Sequence, residues 1–152
     1  MKVKEEVKKA IRNSKKSNSL DDMLNDLIYL GMAKKNIDIS GFSFEIKTLT
    51  EEENREIVER LLRIDEDRRL VCVKAMTLSK AITKINDYSF EELASAHITD
   101  DSKKKDEIEL EIAKNEIILK LQSSVTDRLF TEYEALLKSS RESINVEKIK
   151  NW

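Results

Sequence analysis

Between Asn36 and Lys47 the chain alternates apolar and polar residues, Ile37-Asp-Ile-Ser-Gly-Phe-Ser-Phe-Glu-Ile46. Ser40-Gly41 offers a two-residue turn, with glycine supplying a positive φ. That turn sets Ile39 opposite Phe42 and Ile37 opposite Phe44. Ile37, Ile39, Phe42, Phe44 and Ile46 then line one face, while Asp38, Ser43, Glu45 and Lys47 take the other. A hairpin with one apolar face needs a cover. The pattern predicts that helices at about 51–63 and 68–85 supply it.

Elsewhere the apolar period is helical. Thr50-Glu-Glu-Glu53 has capping-box spacing and opens a helix with Ile57, Val58, Leu61 and Leu62 inside. Asp65-Glu-Asp67 marks a break. Val71, Ala75, Leu78, Ile82 and Ile85 make a stripe, widened by Leu70 and Val73, that reads as the central core helix. Ile85-Asn-Asp-Tyr88 is a turn, and Ser89-Phe-Glu-Glu92 caps a short helix. Leu20, Met23, Leu24, Leu27, Ile28 and Leu30 form the inner face of an earlier helix that ends near Gly31. After a cap within Thr99–Ser102, Ile108, Leu110, Ile112, Ile117, Ile118, Leu119 and Leu121 lie on more than one side of a helix. Ser123-Ser124 interrupts it before a last helix bearing Val125, Leu129, Phe130, Tyr133, Leu136 and Leu137. The expected fold is α+β, mostly α-helical, with one β-hairpin at about 37–48 packed on a multi-helix domain. Residues 1–18 form a basic helical arm and linker, 19–139 a single domain, and 140–152 a polar tail.

The 152 residues include no proline and two glycines, too few turn formers for an all-β chain. The overall charge of −2 conceals an uneven distribution. Lys2, Lys4, Lys8, Lys9, Arg12, Lys15 and Lys16 against Glu5 and Glu6 leave the arm at +5. Such an arm can touch nucleic acid or an acidic partner. No aromatic residue or glycine interleaves to stack bases, so a solubilising terminus is the preferred reading. Cys72 is the sole cysteine, which rules out an intramolecular disulfide and suits a reducing compartment. Flanked by Val71 and Val73, it reads as a buried structural thiol. His97 is the sole histidine and sits near a helix end, where it favours the C-terminal dipole. Paired-histidine metal sites and glycine-rich phosphate loops are excluded. The acid runs are explained by helix starts. No cofactor, metal or catalytic residue is expected, and no membrane span.

The hairpin Ile39–Leu49, the acidic helix start Thr50-Glu-Glu-Glu-Asn-Arg-Glu-Ile57, the Asp65–Asp67 break, the segment Leu70–Ile85, Tyr88-Ser-Phe-Glu-Glu92 and the late Val125-Thr-Asp-Arg-Leu-Phe-Thr-Glu-Tyr133 together resemble the tail assembly chaperones of tailed bacteriophages and related small virion or baseplate assembly proteins. The resemblance spans roughly residues 37–137. It implies a non-enzymatic morphogenesis protein of the host cytoplasm that covers apolar faces of the tape-measure protein. Two alternatives stay open: a structural subunit retained in the virion (baseplate, tail or head), and a small nucleic-acid-associated regulator using the basic arm. The two-sided helix points to a protein partner or a second copy, contacted by Ile108, Ile112, Leu119, Phe130 and Leu137. Trp152, a terminal tryptophan after Ile149, is a further contact candidate.

Overall fold

A computed structural model describes residues 19–150, with side chains through residue 144. The basic-arm residues Lys2 to Lys16 and Trp152 lie outside the described residues. The chain divides into two compact units, Met1–Gly31 and Met32–Trp152. The boundary between these units falls after the first described helix, and the 13–18 linker lies outside the described residues. Helix α1 covers residues 19–28 of the first unit, and Gly31 follows it with φ 80°.

The second unit is mostly helical α+β, as the sequence predicts. Strands β1 (Lys34–Ile39) and β2 (Phe42–Lys47) form the expected hairpin, pairing Ile37 with Phe44 and Ile39 with Phe42. Ser40 and Gly41 both have positive φ, 49° and 88°, as a type I′ turn requires. Ile37, Phe44 and Ile46 are buried, but Phe42 beside the turn is 54% exposed.

Helix α2 (Glu51–Leu61) starts at a complete capping box: the Glu53 N–H donates to Thr50 Oγ1, and the Thr50 N–H to Glu53 Oε1. Helix α3 (Glu66–Ala81) follows. The predicted helix over 68–85 stops four residues early, because Ile82–Ile85 is strand β3, paired antiparallel with β2. Without β3, one edge of β2 would leave its backbone groups unpaired, and the β-branched Ile82, Thr83 and Ile85 suit a strand. The residue Thr83 is extra at a bulge opposite Glu45/Ile46, where its hydroxyl donates to Glu45 Oε1 at 2.7 Å. Asn86, at φ 55°, turns the chain into the short β4 (Tyr88–Ser89). Its Oδ1 accepts from the Ser43 N–H, and its own N–H donates to the Ser43 carbonyl. The single predicted hairpin is thus half of a four-stranded sheet ordered β1-β2-β3-β4.

Ser89 Oγ accepts from the Glu92 N–H and caps α4 (Phe90–His97). A 3₁₀ turn at Asp101–Lys103 and an Asp106 cap precede α5 (Glu107–Lys120). Helix α6 spans Ser123–Lys150, so residues 140–150, read from sequence as a tail, continue this helix.

Ile37, Phe44 and Ile46 pack with Leu78 and Ala81 of α3, Phe90 of α4, Ile118 of α5, and Leu129 and Tyr133 of α6. The hairpin's inner face thus shares one cluster with α3, α4, α5 and α6, and α6 contacts both of its strands. Helix α2 packs instead along α3, burying Ile57 outside this cluster. Nor is α3 buried along its whole stripe. Ala75 and Leu78 are inside, while Leu70 is 84% and Val71 64% exposed. Cys72 is half-buried, less enclosed than its valine neighbours suggest.

Candidate functional site

Helix α5 has two opposed apolar faces. Ala113 and Ile118 are buried, and Ile117 and Leu121 pack against the core. Successive helical residues are rotated by 100°. Ile108, Ile112 and Leu119 therefore share one stripe on the far side, with Asn115 completing the spacing of four, three and four. Their exposures are 68%, 44% and 64%. An isoleucine 68% in water forgoes most of its burial gain of about 1.5–3 kcal/mol, so the stripe favours a cover. Asn115 Oδ1 is buried and has no hydrogen-bond partner among the described residues.

Of the other partner-binding candidates, Phe130 and Leu137 are half-buried against the core. The Phe130 ring stacks on Tyr133 with centroids 6.2 Å apart. The structure thus groups the three α5 residues on one stripe, while the two α6 residues lie half-buried against the core.

Helix α1 presents a second apolar surface that periodicity read as an inner face. Leu20, Met23, Leu24, Leu27 and Ile28, with Leu30 in the turn that follows, are all more than half exposed. On the same 100° wheel, Asp21 and Asp26 border their stripe.

A cavity of about 200 Å³ lies beside β3, lined by Lys47, Glu53, Lys80, Glu91, Glu111 and Lys114 together with Ile82 and Thr83. Each ammonium already has a carboxylate. Lys80 Nζ lies 2.5 Å from Glu56 Oε2 and 3.3 Å from Glu111 Oε1. Lys114 meets Glu91 at 2.6 Å and Lys47 meets Glu53 at 2.7 Å. Burial opposes the charged form of Lys80, but its hydrogen bonds to both carboxylates outweigh that and raise its pKa. Burial likewise pushes the Glu53 carboxyl up, and hydrogen bonds from Lys47 and the Thr50 N–H pull it below its ordinary value. Glu91 follows the same rule, with Lys114 as the donor. A protonated lysine and ionised glutamates are the wrong states for a lysine base or a glutamic acid at neutral pH. The cluster joins α2, β2, α3, α4 and α5, and its charge is spent internally.

These shifts set the pH profile. Glu53 and Glu91, lowered from 4.5, contribute stability that is present above that value and lost as pH falls through their folded pKa. Lys80, raised from 10.5, contributes stability that is present below that value and lost as pH climbs through its folded pKa. Urea unfolding should therefore show a plateau between these limbs. Glu53→Gln should shrink the acid limb, and an unchanged limb would remove Glu53 from this role.

His97 ends α4, as expected, with Nε2 3.1 Å from Glu116 Oε2. Among the described residues, no group of His, Cys, Asp and Glu is arranged to hold a metal ion. Nor is any described helix long and apolar enough to cross a membrane. No family model, curated protein or solved structure gives a significant match to this chain.

Proposed function

We propose that this protein is a non-enzymatic assembly chaperone that covers an amphipathic helix of another protein. The observation that carries the reading is the exposed Ile108–Ile112–Leu119 stripe of α5, opposite that helix's core-facing side. A partner helix laid along this stripe buries both apolar faces at once, the helix-in-groove mode of recognition. The exposed stripe of α1 offers the same chemistry. The lysine–glutamate cluster, in which each ammonium is held by a carboxylate, supports a structural use of these charges.

In its particular form the proposal is a tail assembly chaperone of a tailed bacteriophage, acting in the host cytoplasm on the tape-measure protein. That protein is long and helical, and its apolar faces need shielding until the tail tube surrounds it.

Co-expression with the tape-measure protein tests the reading. Ile108→Asp and Ile112→Asp should abolish co-purification and leave the urea midpoint near wild type, since both side chains already face water. Mass spectrometry of purified particles should find the tape-measure protein without this chain. Retention in particles at fixed stoichiometry would make it a virion subunit instead. Co-purification that survives both substitutions would remove α5 from the interface.

A further inference from the structure

The α5 stripe runs between two rows of carboxylates. On the 100° wheel, Glu109 and Glu116 border one edge of Ile108–Ile112–Asn115–Leu119, and Glu107 and Glu111 the other. Lys114 turns away from the stripe to Glu91, while Lys105 and Lys120 stand at its ends. Glu111 is shared with Lys80 and Glu116 with His97. Glu107 and Glu109 have no cation within ion-pair distance among the described residues.

Spacings of four, three and four are those of alternating d and a positions in a heptad. In that lettering Ile112 and Leu119 are a, Ile108 and Asn115 are d, Glu109 and Glu116 are e, and Glu111 is g. A second copy suits this stripe poorly. An antiparallel pair would set Ile108 against Leu119 and Ile112 against Asn115. The same operation lays Glu109 beside Glu116 of the other copy, twice. A parallel pair brings Glu111 beside Glu116. Like charges at these positions repel and select against the pairing.

We infer that α5 binds a basic amphipathic helix of a partner protein, with an apolar seam on Ile108, Ile112 and Leu119 and Lys or Arg flanking it on both edges. This rests on the helix-binding reading above and adds the partner's charge. Asn115 gives the seam a register. It is the polar position between Ile112 and Leu119, and its Oδ1 is already buried within the domain. A single polar core position of this kind fixes alignment at some cost in affinity.

Two synthetic helical peptides test the inference on the full chain. They share an Ile/Leu seam three heptads long and carry either Lys or Glu at the flanking positions. Fluorescence anisotropy should show the Lys-flanked peptide binding at least about tenfold tighter at low salt, with the gap narrowing as salt rises. Glu109→Gln/Glu116→Gln should narrow the preference, and Glu109→Lys/Glu116→Lys should narrow it further, the Glu107 and Glu111 edge remaining. Ile112→Asp should abolish binding without moving the thermal melt. Equal affinity for both peptides, still sensitive to Ile112→Asp, would overturn the charge rule and leave helix binding standing. Failure of both peptides to bind would overturn both the charge rule and helix binding. Binding insensitive to Ile112→Asp would overturn the assignment to α5 and move the site to a surface such as α1. Self-association that Ile112→Asp disrupts would make a second copy the occupant and overturn the inference.

Discussion

Replacing Phe90 with alanine should lower the free energy of unfolding by about 3–5 kcal/mol. The ring is the largest side chain in the interior with no exposed surface. It occupies the first position of α4, immediately after the Ser89 cap, so the turn that starts the helix also drives the ring inward. There it meets the cluster built from the sheet, α3 and α6. Lys114 Nζ lies 5.8 Å from the ring centroid and adds a cation–π contact at the rim. Alanine would forfeit the transfer free energy of the ring and leave a cavity that helices on several sides cannot all close. Phe42→Ala is the internal control. With that ring 54% exposed, the loss should be well under half that of Phe90→Ala. Urea unfolding of both variants decides the matter, and a Phe90→Ala loss below about 1 kcal/mol would mean that the cluster rearranges around the gap.

Lys80→Ala should cost about 2–3 kcal/mol, near the upper end for hydrogen bonds to charged groups. The Lys80 side chain is only 7% exposed and stands between Glu56 of α2 and Glu111 of α5. Removing the ammonium leaves the part-buried Glu111 carboxylate without its partner, while Glu56 is about half exposed and keeps water. A double variant, Lys80→Met with Glu111→Gln, should recover a good part of the loss, because it removes a charge with its partner. If Lys80→Ala and the double variant unfold at the same urea concentration, the pairing contributes nothing beyond packing.

The hairpin was readable because its information is local. A period of two and one Ser-Gly turn set both register and inner face, and Thr50 and Ser89 announced their helices by hydroxyl spacing. β3 was not readable. Leu78, Ile82 and Ile85 continue a helical stripe as well as Ile82-Thr-Lys-Ile85 makes a strand. What decides is the open edge of β2, nearly forty residues upstream in sequence. The α5 stripe was legible as a second apolar face, since Ile108, Ile112 and Leu119 fall on one side by spacing alone. Periodicity could not show that the α1 stripe is more than half exposed, because it reports that a face is apolar and not what covers it. Phe130 and Leu137 illustrate the same limit from the other side: they are apolar, and half of each packs against the core. The ion cluster draws on Lys47, Lys80 and Lys114, too far apart in sequence for any local pattern to join them.

The junction of α3 and β3 contains no loop. The Ile82 N–H closes the last turn of α3 on the Leu78 carbonyl, and the same residue pairs with Ile46 of β2. One residue thus belongs to both a helix and a sheet. A hinge needs a few residues whose dihedrals can change without breaking hydrogen bonds, and here there are none. Fraying the end of α3 strips the inner edge of the sheet, and unzipping β2 from β3 unwinds the helix. The two elements open together or not at all, so they form a single cooperative block.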